Sequence, residues 1–373
     1  MVSISWVGKL FLDLLMLTII PLIVAAVITG VSSLGDVRKL GKLGGLTVLY
    51  YLCTTAIAVL IGLILVNIIR PGISVNAVSN VIPDKVAGKE TTGIEEIISS
   101  LIVPNLFEAA VSTQLLPIII FCLAFAAALT TIGEKGKTVI SFFDGLNDAM
   151  MKLVIWIMTL SPIGIFALIA SKLGTTGGGE AFWQELTSVG WYIITVIVGL
   201  AAHALVLFII LITLSKKGRG YFLDMLRALV TAFGTASSAT TLPFTMECSI
   251  EAGVDKRAVK FVLPLGATVN MDGTALYEAV AVMFIAQAYD INLGFTEQAI
   301  IFITATFAAI GAAAIPQAGL VTMLIVLAAV DLPKEGIGLL LAIDWFLDRI
   351  RTTVNVWGDS VGAAVIERVF SRL

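Results

Sequence analysis

Apolar runs of membrane-spanning length recur along the chain, at roughly residues 7–31, 46–70, 113–132, 139–171, 186–214, 257–287 and 336–366. A helix needs about 20 apolar residues to cross a hydrocarbon core, so each run predicts a spanning helix. Two further apolar regions, 222–250 and 294–330, are broken in the middle, by TASSATTLP and by IGAAAIPQAG. Each reads either as a kinked span or as a helical hairpin that enters and leaves the membrane on the same side. Short cationic loops belong in the cytoplasm. Residues 31–45, the segment after 214 and residues 251–260 are cationic, with Lys216, Lys217, Arg219 and Arg227 beyond 214 and Lys256, Arg257 and Lys260 in the last. A single crossing at 222–250 would put two of these loops on opposite sides, whereas a re-entrant hairpin keeps both inside. By the same reasoning 294–330 returns to the outside, because Asp290, Glu297, Asp331 and Glu335 flank it with only Lys334 opposing.

Composition sharpens this picture. The chain has 373 residues, 58% apolar and 13% charged, and a soluble domain of that length could not hide so much apolar surface. The lipid bilayer is the expected solvent and the expected fold is an all-α, multi-span membrane protein. A net charge of −3 points away from nucleic acid. Cys53, Cys122 and Cys248 lack metal-ligand spacing and read as small packing residues. The one histidine, His203, lies in an apolar run and reads as core packing. The opening segment is longer than a signal-peptide core and has no small-residue cleavage site, so it reads as a membrane helix with Asp13 as an unusual passenger.

The C-terminal half carries a weak internal repeat. A broken hairpin with Pro243 at its expected tip precedes a helix containing NMDG (270–273), and a second with Pro316 precedes a helix containing NVWGD (355–359). Inverted repeats with broken helices are a signature of secondary transporters. Backbone freed from helix at that depth must be buried or line a cavity, where it offers carbonyls to cations and helix N-termini to anions.

Charge concentrates in DWFLDRIRTTVNVWGDS (344–360). At 3.6 residues per turn, Asp344, Asp348, Arg351, Thr352, Asn355 and Asp359 share an arc of roughly 100°. An unpaired charge at the bilayer centre costs at least about 2.5 kcal/mol, so this stripe must face protein, water or bound ions. A structural salt-bridge network accounts for Asp344 with Arg351 but less well for Thr352 and Asn355. As a site, Arg351 offers a planar fork to a carboxylate, and Asp348 accepts from an ammonium. Asp359 is a hard oxygen ligand for a monovalent cation. A second cluster holds Asn270, Asp272 and Thr274, with Gly273 allowing a local break and Asp272 another cation candidate. Glu278, amid ALYEAVAVMF, is a candidate proton carrier, because a buried carboxyl is cheaper to hold neutral than charged. Ser237 and Ser238 sit at the first hairpin tip, and Tyr51, Thr54 and Thr55 form a polar patch on an early helix.

The segments NMDGTALYEA, IGAAAIPQAGLVTM and DWFLDRIRTTVNVWGDS resemble the glutamate transporter family, the sodium- and proton-coupled symporters of acidic and neutral amino acids, along nearly the whole chain. The resemblance implies an elevator-type homotrimer in the plasma membrane. Residues 1–70 and 71–221, with the outer loop 72–97, would supply the scaffold and peripheral transport helices. Residues 222–373 would form the transport core: hairpin 1 (222–250), helix 257–287, the gating hairpin 2 (294–330) and helix 336–366. It implies substrate contacts from Ser238, Thr274, Ile315, Gly319, Asp348, Arg351, Thr352 and Asn355. It implies one sodium site at Gly266, Asn270, Asn355 and Asp359, and a second at Tyr51, Thr54, Thr55, Asn270 and Asp272. A third would use Thr268 and Met271 with carbonyls of Ala309, Ile310 and Ala312. Glu278 matches the position tied to proton coupling and potassium counter-transport in animal carriers, and Arg351 the one that is Arg in acidic-substrate members. The chain departs from the pattern at Ala236, where archaeal members carry an Arg that here appears at Arg349, and at Ala239 and Ala314. It opens at what resembles the family's second helix, and its loop 72–97 lacks an N-glycosylation acceptor, as in prokaryotic members. The same fold moving a neutral amino acid or a C4-dicarboxylate, and an anion channel alongside transport, are the alternatives. No nucleophile–base pair suggests an enzyme, and no cofactor other than co-transported sodium is implied.

Overall fold

The computed structural model describes residues 4–32, 41–73, 102–112, 115–160, 162–164, 166–167, 170–171, 180–311 and 318–370. Every regular element among them is helical, as a bilayer requires of a chain whose backbone groups must bond internally. The helices are α1 (Ser5–Ser32), α2 (Gly41–Ile69), α3 (Leu106–Val111), α4 (Leu115–Thr131), α5 (Glu134–Met158), α6 (Glu180–Ile210), α7 (Arg219–Thr235), α8 (Ser238–Glu251), α9 (Lys256–Val269), α10 (Asp272–Ala288), α11 (Phe295–Ala308), α12 (Ala318–Ala329) and α13 (Ile337–Phe370). Four segments among the described residues are long and apolar enough to cross a membrane: Ser5–Ser32, Gly44–Ile69, Thr187–Ser215 and Lys256–Ala288. At 34 residues α13 is long enough too, but its charged stripe keeps it out of that class.

Two groups of helices pack together. In the first, α1 lies against α4 and α5. The second is built on α10 and α13. Helix α10 is buried on every side from Asp272 to Ala286, and its small residues Gly273, Ala275, Ala279 and Ala281 let α2, α6, α12 and α13 come close. The groups meet where α1 touches the 3₁₀ turn Ala309–Gly311, α9, α12 and the turn Lys334–Gly336. There Asp13, out of place in an apolar helix by sequence, pairs with Lys334. Lipid-sized apolar side chains, among them Trp6, Leu17, Ile64 and Leu205, stay exposed on the outer faces.

Helices α7 and α8 form an antiparallel pair, tied by Arg227 to Glu247 at 2.8 Å. The turn falls at Ala236 and Ser237, not at Pro243 as the sequence suggests. Ala236 takes a left-handed conformation (φ 50°) and Ser237 caps α8 by accepting the Thr240 amide, so Pro243 ends up inside the second helix. Arg349 of α13 closes the other side, donating from Nη1 to the carbonyls of Phe233 and Gly234 at 3.0 and 2.7 Å. It thereby serves the last carbonyls of α7, which lack helical partners. Helices α11 and α12 also pack on each other. Their connection, with Ala312, Ala314, Ile315 and Pro316, lies outside the described residues.

Candidate substrate and cation site

The run 257–287 is two helices rather than one. The chain leaves helix at Asn270 (φ −98°, ψ 88°) and Met271 (φ −113°, ψ 51°), just before Gly273, where the sequence suggested a break. The new helix start exposes amides, and Asn355 of α13 answers by accepting the Gly273 N–H at 2.7 Å. That contact requires a glycine, because a Cβ at 273 would lie 2.7 Å from the Arg351 carbonyl oxygen. The Asn355 amide turns toward Met271 Sδ at 3.3 Å and Thr274 Oγ1 at 3.4 Å. The break, α10 and α13 are thus stitched together by one side chain.

Around the break lies a polar cluster closed to solvent. Asn270 donates to Asp359 Oδ1 at 2.9 Å. Asp272 Oδ1 accepts from Thr55 at 2.7 Å and Thr54 at 3.4 Å. Tyr51 donates to the Val262 carbonyl at 2.8 Å, and a Cβ on Gly266 would overlap both its hydroxyl oxygen and Asp359 Oδ1. Gly358 is similarly tight, 2.9 Å from Asn270 Nδ2 for an added Cβ. Asp272 and Asp359 are 0% and 2% exposed, and among the described residues no Lys or Arg pairs with either. Two carboxylates buried without a cationic side chain are costly unless something positive joins them. Oxygen donors from Asp, Asn, Thr and Tyr suit a hard cation.

The structure therefore brings together seven residues expected at two sodium sites: Tyr51, Thr54, Thr55, Gly266, Asn270, Asp272 and Asp359, with Asn355 alongside. The third expected site is only partly described. Helix α9, which carries Thr268, contacts the Ala309–Gly311 turn. Thr268 itself bonds back to Leu265 on its own helix. Ala312 lies outside the described residues. Sequence reasoning missed His203. It is fully buried, as expected of a packing residue, but its Nε2 is 2.9 Å from Asp272 Oδ2. Nothing in the sequence links them, because only the packing of α6 on α10 does so.

A second cluster surrounds Arg351, which is fully buried. Its Nη2 donates to Asp344 and Asp348, each at 2.9 Å, and its guanidinium carbon lies 4.0 Å from the centre of the Tyr277 ring. Asp348, expected to accept from an ammonium, shares this arginine with Asp344 through its Oδ1. A buried guanidinium needs compensating charge, and both carboxylates reach the same nitrogen. Among the described residues Nε and Nη1 have no hydrogen-bond partner, and Nη1 meets Gly319 at the start of α12, where a Cβ would overlap it. Thr352 and Thr274 are buried nearby on the faces of α13 and α10, with Ser237 and Ser238 at the turn of the α7–α8 pair. Glu278, two turns into α10, is 0% exposed, and its carboxyl lies beside the Thr322 side chain of α12. Ile315 lies outside the described residues. A wholly separate apolar groove of about 610 Å³ between α6, α7 and α13, lined by Phe208, Phe222, Phe233 and Trp357, takes no part in this chemistry.

Comparisons with known proteins place the chain among transporters. The chain is 40% identical over 415 residues to excitatory amino acid transporter 3 of Oryctolagus cuniculus, covering 97% of this chain and 78% of that one. It is 39% identical over 427 residues to excitatory amino acid transporter 1 of Ambystoma tigrinum, covering 98% and 77%. An excitatory amino acid transporter of Caenorhabditis elegans is 38% identical over 411 residues, covering 97% and 80%. The model of the sodium:dicarboxylate symporter family matches residues 1–369, and the chain belongs to that family.

Proposed function

We propose that the protein is a secondary active symporter that takes up glutamate or aspartate with sodium across the plasma membrane. The observation that carries this reading is the buried guanidinium of Arg351, held on one nitrogen by Asp344 and Asp348 with Nε and Nη1 unbonded beside Gly319. A buried guanidinium with idle N–H groups in a dry setting offers a charge-assisted bond to a carboxylate. The relatives named as excitatory amino acid transporters support the same substrate class. Asp348, Thr352, Asn355, Thr274, Ser237, Ser238, Ile315 and Gly319 would complete the substrate pocket. Sodium would enter at the two carboxylate clusters, with a third site at Thr268, Met271, Ala309, Ile310 and Ala312.

Motion follows from the two helix groups. The group on α10 and α13, with α7–α8 and α11–α12 as re-entrant hairpins, would travel as an elevator against the α1–α4–α5 scaffold of a homotrimer. Hairpin 2 would be the gate. Glu278 would carry the coupled proton: a fully buried carboxyl with no cationic partner among the described residues is expensive to keep charged, and taking up a proton removes that cost. Potassium counter-transport would use the return step.

Proteoliposomes with imposed gradients test this directly. An inward sodium gradient should drive accumulation of labelled aspartate or glutamate, and an outward potassium gradient should speed it. Accumulation that ignores sodium would reject the reading. A C4-dicarboxylate is the second reading, favoured by one observation: Asp348, the acceptor expected for an amino group, is already bonded to Arg351. Stronger inhibition of uptake by succinate than by aspartate would select it.

A further inference from the structure

We infer that His203 is a positioning residue for the cation site at Asp272: its imidazole fixes the carboxylate so that Oδ1 is presented with Thr55 and Thr54, and the site's sodium affinity depends on that hold. The inference rests on the reading of Tyr51, Thr54, Thr55, Asn270 and Asp272 as a sodium site, and adds a residue from α6 that does not itself ligate.

The geometry is specific. His203 and Asp272 are both 0% exposed and meet at 2.9 Å between Nε2 and Oδ2. An ionised carboxylate only accepts hydrogen bonds, so Nε2 carries the hydrogen and donates. Nδ1 then presents its lone pair, and it has no hydrogen-bond partner among the described residues. A ring with hydrogen on Nε2 satisfies the contact and leaves Oδ1 of Asp272 for a cation.

The two carboxylate oxygens thus have separate duties. Oδ2 is held by the histidine, while Oδ1 receives the Thr55 and Thr54 hydroxyls. A carboxylate at the first residue of a helix turns easily about its last side-chain bond, which is broad and roughly two-fold. The Asp272 side chain cannot drift far toward α13, because Gly358 there is so close that an added Cβ would lie 3.2 Å from Oδ2. What selects its orientation is the donor on the α6 side. Outer residues that orient ligands in this way are typically worth tenfold to a hundredfold in metal affinity.

The test uses purified full-length protein and sodium chloride alone as probe, with choline chloride at equal ionic strength as control. A ligand that binds the folded state raises its Tm. The sodium concentration giving half of the Tm rise is read for wild type, His203→Leu, His203→Gln and Asp272→Asn. The leucine fills the space without a donor, and the glutamine amide restores an N–H at similar reach. We expect H203L to shift the half-effect concentration upward about tenfold to a hundredfold, and H203Q to return it to within about threefold of wild type. A purely structural histidine would lower Tm at every sodium concentration and leave the half-effect concentration unchanged, and that result overturns the inference. So does an H203Q as impaired as H203L. If H203L does not fold, His203→Asn, too short to reach Oδ2, replaces it with the same expected shift. Should D272N leave the sodium response intact, the cation site itself is misread. An altered D272N with an unaltered H203L rejects the histidine's role alone.

Discussion

Replacing Arg351 with lysine keeps the positive charge and removes the planar fork. The ammonium can still reach Asp344 and Asp348, so neither carboxylate is left stranded in the core. What disappears is the pair of N–H groups on Nε and Nη1, the two that have no hydrogen-bond partner among the described residues. If the substrate's side-chain carboxylate takes Nη1, the nitrogen that faces Gly319, that charge-assisted bond is worth about 1.5–3 kcal/mol. That corresponds to roughly tenfold to a hundredfold in affinity at about 1.4 kcal/mol per decade. Lysine also gives up the stacking of the guanidinium on Tyr277, which contributes to holding the fork in place. The assay is competition of unlabelled amino acids for labelled aspartate or glutamate on purified protein at saturating sodium, with tight-binding controls from wild type. Glutamate and aspartate should weaken by the amount above, while alanine and serine, which have no second carboxylate, should change by less than about threefold. An equal loss for acidic and neutral ligands would mean that R351K merely disturbs the pocket. Unchanged binding of acidic ligands would refute the assignment of Arg351.

Three further substitutions follow from close contacts and burial. Gly319→Ala puts a Cβ onto Arg351 Nη1 and 3.1 Å from its guanidinium carbon, which Asp344, Asp348 and Tyr277 hold in place; affinity for the acidic substrate should drop by about tenfold or more, given the roughly 1–3 kcal/mol cost of overpacking, measured by the same competition assay. Gly266→Ala drives a Cβ into the Tyr51 hydroxyl and Asp359 Oδ1; sodium activation of uptake should weaken while the protein still reaches the membrane, and a normal sodium response would refute the close approach. Glu278→Gln removes the only buried acid of α10 beyond Asp272; uptake should lose its dependence on pH from mildly acidic to mildly alkaline conditions at fixed sodium, and a retained dependence would move the proton elsewhere.

The stripe was legible as a periodic signal and the spans in part: among the described residues, four of the seven expected runs are long and apolar enough to cross. Long apolar runs gave the helices, and the spacing of Asp344, Asp348, Arg351, Asn355 and Asp359 put them on one face of α13. Arg351 with Asp344, two turns apart, could be expected from that face alone. The start of α8 carried a readable signal in Ser237 with Thr240 three residues on, yet Pro243 looked the stronger punctuation. A proline is tolerated within a helix whose neighbours supply the missing bonds, so it did not mark the turn. The site of the break was displaced for a similar reason. Gly273 is permissive, but its role is to let α13 approach, and the chain leaves helix at Asn270 and Met271 instead. Gly266, Gly319 and Gly358 likewise owe their identity to atoms far away in sequence. His203 was unreadable altogether, since a lone histidine in an apolar run looks the same whether it packs or bonds. Asp348 shows the limit for charged groups. Its place on the stripe was evident, but which partner it takes depends on how many carboxylates crowd one buried guanidinium.

The central claim is that the Arg351 pocket and the Asp272–Asp359 cluster fill together. Binding of labelled aspartate and glutamate to purified protein, titrated in sodium and in choline, measures that coupling most directly. Reciprocal linkage requires each ligand to raise the other's affinity by the same factor. Amino acid binding that strengthens steeply as sodium rises, and disappears in choline, is the predicted result. Equal binding in the two salts would contradict the account.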